Sequence, residues 1–241
     1  MDRVIILGGT GGIGAALARR LHARGTAVHL VARDRSRLEA LASELQASCS
    51  AGDARDEAFL EAAIAAGTSD GRVAGLAYCV GSIVLKSIKT AAAADYREAF
   101  ELNLIPAALA IRHAAPALAA ARGSVVLFST IAVSQGFTNH AVIGAAKGAI
   151  EGLALSAAAD LAPNVRVNCI APSLTRTPLA GAFTRNEQMA SAIAKMHPLE
   201  RLGEPDDVAA LAEFLLTAQS GWITGQVFGV DGGRSTLRPK G

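Results

Sequence analysis

The chain has 241 residues, of which 51% are hydrophobic and 18% are charged, and its formal net charge is +2 at pH 7. This composition excludes an intrinsically disordered chain, and the length suits one large α/β domain with a continuous core. No basic block stands out to neutralise nucleic-acid phosphates, and Cys49, Cys79 and Cys169 lie too far apart for a metal site or a disulfide framework. We therefore expect no metal, no nucleic-acid partner and a reduced, cytoplasmic environment.

We also expect no targeting segment and no contact with a membrane. The apolar run at the start is too short for a signal peptide before glycines interrupt it. The longest stretch without a charged residue, 123–146, contains several polar side chains that would not lie in lipid.

Short runs of β-branched residues alternate along the chain with longer stretches rich in Ala and Leu. Leu17 and Leu21 recur at helical spacing after the first run, and Leu38, Leu41 and Leu45 do so after the second. Unbroken apolar runs indicate strands that are buried on both faces, and hence a doubly wound parallel sheet with helices on both faces. The predicted strands are residues 4–7, 28–31, 73–80, 124–128, 165–170 and 226–230. With no repeat and no long linker, residues 1–241 are predicted to form a single α/β domain.

The link between the first predicted strand and the first predicted helix is rich in glycine. It reads GGTGGIG, which fits both the G-x-G-x-x-G spacing from Gly9 and the G-x-x-x-G-x-G spacing from Gly8. Glycine permits positive φ and close approach of the backbone to a ligand, and a helix N-terminus offers free N–H groups to a diphosphate. Between a strand and a helix the motif indicates a dinucleotide site in a Rossmann fold. The alternative is a purely structural turn.

The residue after the second predicted strand distinguishes the two nicotinamide dinucleotides. An acidic residue there would bind the ribose 2′-hydroxyl of NAD(H), but the chain carries Arg33. A guanidinium can pair with a 2′-phosphate in bidentate fashion, so we predict NADP(H). The alternative is that Arg33 is a solvated surface residue and that Asp34 binds the ribose.

With these residues and several later motifs, the chain resembles the short-chain dehydrogenase/reductase family from end to end. The glycine turn matches the cofactor turn of that family, and residues 199–215 and 223–233 resemble the β-ketoacyl-carrier-protein reductases. The resemblance implies a loop over residues 172–178 that closes on the nicotinamide, and a substrate-lid region around residues 179–199. The cofactor-binding residues that it implies are Gly8, Thr10, Gly12, Ile13, Gly14, Arg33, Asp53, Ala54, Gly81, Lys147, Pro172, Thr175 and Thr177.

The catalytic positions depart from the family pattern. The family pairs a Tyr with a Lys four residues later, but here Ile143 stands four residues before Lys147, and its side chain carries no proton to transfer. The Ser that the family has thirteen residues before the Tyr corresponds to Thr130, which keeps a hydroxyl. Asn103 matches the helix Asn that holds a water for proton relay. The resemblance therefore implies an active site without its usual phenol.

His140 is a candidate to replace the missing acid. It lies seven residues before Lys147, the spacing at which enoyl-thioester reductases of this superfamily carry their Tyr. Two helical turns would bring the two side chains to nearly the same face. An imidazole is a competent proton donor near neutral pH. The alternative is that His140, beside Asn139, only caps the helix.

The resulting hypothesis is an atypical oxidoreductase that uses NADP(H) for hydride transfer to a keto- or enoyl-type substrate, thioesters included. Thr130 would hold the substrate oxygen, while Lys147 and Asn103 would organise the cofactor and a water. His140 or a water would deliver the proton. Two alternatives stay open: a non-catalytic nucleotide-binding subunit of a hetero-oligomer with an active relative, and redox chemistry that needs no protein acid. The C-terminal motif resembles tails that pack across tetramers, which implies a homotetramer or a mixed tetramer.

Overall fold

The computed structural model describes residues 2–69 and 72–238, which form a parallel sheet with helices on both faces. The strands are β1 (Arg3–Leu7), β2 (Ala27–Ala32), β3 (Ser48–Ala51), β4 (Val73–Tyr78), β5 (Ser124–Phe128), β6 (Arg166–Pro172) and β7 (Val227–Val230). The helices are α1 (Gly12–Ala23), α2 (Arg35–Glu44), α3 (Glu57–Thr68), α4 (Ala93–Asn103), α5 (Ile105–Ala121), α6 (Ala132–Gln135), α7 (Ala141–Leu161), α8 (Gly181–Thr184), α9 (Glu187–Ala194) and α10 (Pro205–Leu216). The predicted single-domain Rossmann fold is confirmed.

The strand order determines where a ligand can bind. The order is β3-β2-β1-β4-β5-β6-β7. The chain therefore runs from β1 outward to β3, crosses back to β4 on the other side of β1, and continues outward to β7. In such doubly wound sheets a crevice opens at the carboxyl ends of the strands on either side of the reversal. The glycine turn follows β1, and residues 79–81 follow β4, so both lie at this crevice.

The strands bury their side chains on both faces because their residues alternate between two helical layers. In β1, Ile5 and Leu7 pack with α3, α5 and α7, whereas Val4 and Ile6 pack with α1, α2 and α10. These four side chains are at most 2% exposed, and full burial of one such side chain contributes about 2 kcal/mol. Burial on both faces of the sheet therefore explains why the predicted strands are unbroken apolar runs.

All six predicted strands occur, but the prediction missed β3 and misplaced one end of β4. β3 reads SCSA, so it lacks the apolar run on which the prediction depended. It pairs with β2 partly through polar groups, since the two ring nitrogens of His29 lie 2.9 and 3.1 Å from the hydroxyls of Ser48 and Ser50. β4 ends at Tyr78 rather than at residue 80, because the following residues leave the sheet for the crevice.

Two helical stretches, Ala93–Ala121 and Ala141–Leu161, are long and apolar enough to cross a membrane by length and composition alone. Each packs one side against the sheet, α5 on β4 and α7 on β6. Only 33% and 39% of their most apolar windows are buried, so their outward faces are apolar surfaces. Leu155 on α7 is 63% exposed and Ile105 on α5 is 49% exposed.

A buried carboxylate joins the first and last long helices, and its removal should destabilise the fold. The Glu213 carboxylate on α10 accepts a hydrogen bond from Arg20 Nε at 2.6 Å and pairs with Arg24, and the side chain is 3% exposed. Glu213→Gln leaves two guanidinium groups without this partner, so we expect a loss of about 3 kcal/mol in the free energy of unfolding. The exposed Asp206 also pairs with Arg20, and Asp206→Asn should cost less than about 1 kcal/mol. Urea denaturation followed by circular dichroism measures both losses; equal losses would contradict this account.

Candidate active site

The glycine turn adopts a backbone conformation that side chains would block. Gly8 has φ +77°, and a Cβ there would lie 2.8 Å from the carbonyl carbon of Cys79 on the neighbouring strand end. A Cβ on Gly14 would overlap the Gly8 carbonyl oxygen. In the first turn of α1, the N–H groups of Gly12, Ile13 and Gly14 have no acceptor among the described residues. Unpaired donors at a helix N-terminus fit an anionic diphosphate.

Arg33 follows β2 as predicted, and it is exposed, with no ion pair to the described residues. The carboxylate of the neighbouring Asp34 is already engaged, since it caps α2 by accepting from Arg37 N at 3.1 Å. The Arg37 side chain donates to the Thr10 carbonyl at 3.0 Å, which places a second guanidinium beside the glycine turn. Sequence reasoning missed Arg37, for which the only signal was that Arg35 and Arg37 both lie within four residues of Arg33.

The predicted adenine-contacting pair, Asp53 and Ala54, follows β3. Arg55 hydrogen-bonds the Asp53 carboxylate, at 2.6 Å for the shortest contact, and thereby lowers the pKa of Asp53 to about 2. The Ala54 side chain is buried in the core beside Leu7, so only its backbone is available to a ligand at the crevice.

Gly81, Asn103 and Lys147 meet beside the crevice. A Cβ on Gly81 would lie 3.0 Å from Asn103 Oδ1 and 3.1 Å from Lys147 Nζ. Asn103 is fully buried, and its Nδ2 donates to the Ala99 carbonyl at 2.8 Å and to Ser82 Oγ at 3.2 Å. Its Oδ1 has no hydrogen-bond partner among the described residues. A buried acceptor and an ammonium group beside a glycine fit a ligand that carries hydroxyl groups.

Lys147 reaches this position from the buried side of α7. Its Nζ donates to the Phe128 carbonyl at 2.9 Å, at the end of β5, and the residue is 8% exposed. Burial lowers the pKa of Lys147 to about 8. The alternative of a surface lysine is thereby excluded, because a charged side chain that is so deeply placed cannot reach solvent freely.

A cavity of about 550 Å³ extends from this group, and Thr130 and Ile143 are among its lining residues. The Thr130 hydroxyl accepts from Ala132 N at 3.3 Å, which leaves its own proton available to a ligand oxygen. The neighbouring Ser129 also lines the cavity, but its hydroxyl donates to the Glu151 carboxylate at 2.6 Å. Of the two adjacent hydroxyls, the predicted Thr130 is therefore the one that can donate to a ligand.

His140 lines the same cavity as Lys147, as its spacing predicted. It is the last residue before α7, but its side chain makes no capping hydrogen bond. Its Nδ1 lies 2.7 Å from the Thr138 carbonyl, which can only accept, so Nδ1 carries a proton. The described residues offer Nε2 no hydrogen-bond partner, and Phe137 packs against the ring edge to face. The alternative that the His140 side chain caps α7 is therefore wrong.

The loop after β6 closes one wall of the cavity, with Pro172, Thr175 and Thr177 in the lining. Thr177 caps a short 3₁₀ turn, Pro178–Ala180, by accepting from Ala180 N at 3.2 Å. Its side chain packs directly on Gly12, where a Cβ would lie 2.6 Å from Thr177 Cγ2. The loop and the glycine turn are thus in contact.

A serine–histidine pair that sequence reasoning missed ties this loop to the predicted lid. Ser173 Oγ lies 2.8 Å from His197 Nε2, and His197 Nδ1 lies 2.9 Å from the Ile193 carbonyl. His197 is 2% exposed. From residues 179–199, the side chains of Leu179, Ile193 and Met196 line the cavity, so this region forms part of its wall.

Known proteins match this chain over nearly its whole length. A family model described as enoyl-(acyl carrier protein) reductase matches residues 8–235. The chain belongs to the short-chain dehydrogenase/reductase family. A tropinone reductase homolog of Arabidopsis thaliana is 32% identical over 241 residues, which cover 95% of this chain and 90% of the relative.

Solved structures agree with this assignment. A short-chain type dehydrogenase/reductase from Mycobacterium ulcerans has a TM-score of 0.92 and 33% identity, with 98% of this chain and 90% of that chain covered. A structure described as ElxO with NADP bound has a TM-score of 0.90 and 26% identity, with 98% and 99% covered. Short-chain dehydrogenases/reductases are oxidoreductases that use nicotinamide cofactors, and the unpaired N–H groups of α1, Lys147 and Asn103 fit such a group.

The depressed pKa of Lys147 makes the stability of the fold depend on pH. Between pH 8 and 10.5 the unfolded chain binds a proton at this lysine that the folded chain has released, so the free energy of unfolding rises with pH. Without added dinucleotide, we expect the wild type to gain up to about 3 kcal/mol relative to Lys147→Met across this interval. Urea midpoints of both proteins at pH 7 to 10 measure the gain.

The exposed Lys89 supplies the control, and Lys89→Met should follow the wild-type pH profile. Parallel profiles for the wild type and Lys147→Met would show that Lys147 titrates as in the unfolded chain.

Proposed function

We propose that this chain is an atypical NADP(H)-dependent oxidoreductase that transfers hydride to or from a keto- or enoyl-type substrate, thioesters included. The observation that carries the proposal is the meeting of Lys147 Nζ and Asn103 Oδ1 at Gly81, beside the unpaired N–H groups of α1. A nicotinamide bound there supplies the hydride. The cavity beyond it has a free hydroxyl, Thr130, to hold the substrate oxygen.

The roles of the chain's own residues follow from their contacts. The first turn of α1 binds the diphosphate through backbone N–H groups, so no side chain stands between helix and ligand. Lys147 is held by the Phe128 carbonyl and directs positive charge toward the ribose and the reacting oxygen. Asn103 offers an acceptor to a ribose hydroxyl or to a water in the proton path.

The preference for the phosphorylated dinucleotide is supported by the environment of Arg33. It has no ion pair with the described residues, whereas Asp34, the alternative ribose ligand, is engaged as a helix cap. Arg37 adds a second cation near the same turn. A 2′-phosphate would find guanidinium donors here, and a ribose 2′-hydroxyl would find no free carboxylate at Asp34.

Removal of the Arg33 side chain should therefore discriminate between the two dinucleotides. In Arg33→Ala, we expect the Kd for NADPH to rise about 10- to 100-fold, the value of one charge-assisted pair, and the Kd for NADH to change less than about 2-fold. The control is Arg35→Ala, whose exposed guanidinium pairs with Glu39 at 3.2 Å. Titration of the fluorescence of the reduced dinucleotides measures six values of Kd, for the wild type and both variants with NADPH and with NADH. Equal losses for NADPH and NADH would refute the role of Arg33.

The proton donor is the feature in which this protein departs from its family. Ile143 lies in the cavity wall four residues before Lys147, so no phenol is present at that position. We assign the proton transfer to His140 Nε2, directly or through a water. Because Nδ1 donates to Thr138, a proton on Nε2 makes the ring an imidazolium, and loss of that proton leaves the Nδ1–H bond intact.

Turnover of His140 variants tests this assignment. His140→Phe keeps an aromatic ring beside Phe137 but cannot donate, so kcat for a keto- or an enoyl-thioester should fall about 100- to 10,000-fold while the Kd for NADPH stays unchanged. The exposed His22 provides the control, His22→Phe, with unchanged kcat. Ile143→Tyr restores the family pair and should create or raise ketone reduction. An unchanged kcat in His140→Phe ends the proposed role of His140 but not the binding of the dinucleotide.

A second candidate function is a non-catalytic, nucleotide-binding subunit that assembles with an active relative. The observation in its favour is Ile143, which removes the family acid while the turn that fits a dinucleotide is kept. Tight NADPH binding without turnover of either thioester, together with activity in Ile143→Tyr, would favour this candidate over an enzyme that is active alone.

We further propose a cytoplasmic homotetramer or mixed tetramer. The support is the outward side of α5 and α7, which is rich in alanine and carries the exposed Ile105 and Leu155. Apolar faces of this kind are suited to burial against another chain.

A further inference from the structure

The outer part of the cavity contains a guanidinium group that the proposed reaction does not use. Arg234 follows β7, and its side chain lines the cavity together with Phe137 and Met196. Its Cζ lies 4.8 Å from the centroid of the Phe137 ring, and one terminal nitrogen donates to Met196 Sδ at 3.5 Å. A thioether is a weak acceptor, so most of the N–H groups of Arg234 remain available to a ligand.

The backbone on both sides of Arg234 is fixed, which holds the side chain ready. The Asp231 carboxylate accepts from Gly233 N at 2.9 Å and from Ser235 N at 2.8 Å. Gln135, two residues before Phe137 in sequence, donates to the Ser235 carbonyl at 2.7 Å. The segment is thus tied to the same loop that supplies the aromatic ring, and little further ordering is needed when a ligand binds.

The charges around the cavity are unbalanced. Its described lining contains no Asp or Glu, and its Lys and Arg side chains are those of Lys147 and Arg234. Lys147 is engaged by the Phe128 carbonyl in the inner part. Arg234 makes no direct ion pair with the described residues, and the carboxylate of the nearby Asp231, whose oxygens accept backbone N–H groups, attracts it at longer range. Burial lowers the pKa of Arg234, yet a guanidinium stays charged at any pH that the protein survives.

Much of the remaining cavity lining is apolar, including Ile83, Leu85, Leu174, Leu179 and Phe183. Arg234 is partly exposed beside these side chains, so its guanidinium can receive an anionic partner from the cavity. A planar, singly charged oxyanion matches the one guanidinium fork, whose edge stays open while its face packs on the aromatic ring.

We propose that Arg234 binds the carboxylate of the substrate, and that the substrate is therefore an acid with an otherwise apolar skeleton. This narrows the proposed keto- or enoyl-type class to compounds that carry a free carboxylate, and it rests on the proposed function in taking this cavity as the substrate site. The carboxylate is anchored at Arg234, the apolar skeleton packs between Phe137 and the lid residues, and the reacting group lies toward Thr130 and Lys147.

Direct binding tests the proposal without turnover. We would titrate hexanoate, octanoate and decanoate, each against its primary amide, into the NADP⁺-loaded protein by isothermal titration calorimetry. The amide has nearly the same shape but no charge. For at least one chain length, the acid should bind about 10- to 100-fold more tightly than its amide, and the difference should shrink in high salt.

Variants locate the effect at Arg234. Arg234→Met should abolish the preference for the acid, and Arg234→Lys should retain part of it because the charge is kept. The matched control is Arg238→Met, which removes an exposed charge from the same segment outside the cavity lining. An unchanged Kd for NADPH shows that each variant is folded.

Three results would overturn the proposal: equal affinity for acid and amide at every length, an acid preference that survives in Arg234→Met, and absence of binding by every acid at millimolar concentration. Failure of the proposed function is distinguishable from these. It would appear as absence of NADPH binding, or absence of hydride transfer, in a protein that still prefers octanoate to octanamide.

Discussion

The site depends on the close packing of the glycine turn against the end of β4. Gly8, with its positive φ, lies so near the Cys79 backbone that no Cβ can stand between them, and this contact brings the N-terminus of α1 to the reversal of strand order. Because that first turn carries no capping side chain, its N–H groups face the crevice unpaired. The other components are positioned relative to this turn: Thr177 packs on Gly12, and Arg37 donates to the Thr10 carbonyl.

The inner end of the cavity holds a buried charged group, the Lys147 ammonium. Lys147 loses hydration on burial, which lowers its pKa, and the Phe128 carbonyl compensates only in part. The group is therefore held ready for a ligand that brings oxygen atoms to the ammonium. In this setting Ile143 has a clear physical effect, because it makes the wall beside Lys147 apolar. In the proposed function the proton therefore comes from farther out, from His140, whose Nε2 has no hydrogen-bond partner among the described residues.

The sequence was sufficient for those features that depend on local pattern. Apolar runs gave six of the seven strands, and because the residues that follow parallel strands share one edge of the sheet, the predicted residues Gly81, Thr130 and Pro172 do come together. The prediction missed β3 because its sequence, SCSA, has no apolar run, although hydrogen bonds from its serines to His29 help to hold it beside β2. The sequence analysis missed Arg234 and Gln135 for a different reason. Gln135 and its partner Ser235 are 100 residues apart, and only the folded chain brings such residues into contact.

The two cations of the cavity, Lys147 and Arg234, are stabilised in different ways. This difference favours one orientation of the proposed substrate. Lys147 donates to the Phe128 carbonyl, whereas Arg234 lies over the Phe137 ring and makes no direct ion pair with the described residues. If Arg234 binds the substrate carboxylate as proposed, a substrate with a carbonyl or enoyl group at its other end places that group toward Thr130 and Lys147. Attraction at the remote end would then fix which atom faces the nicotinamide, and this use of binding energy would raise the rate of reaction without any further catalytic group.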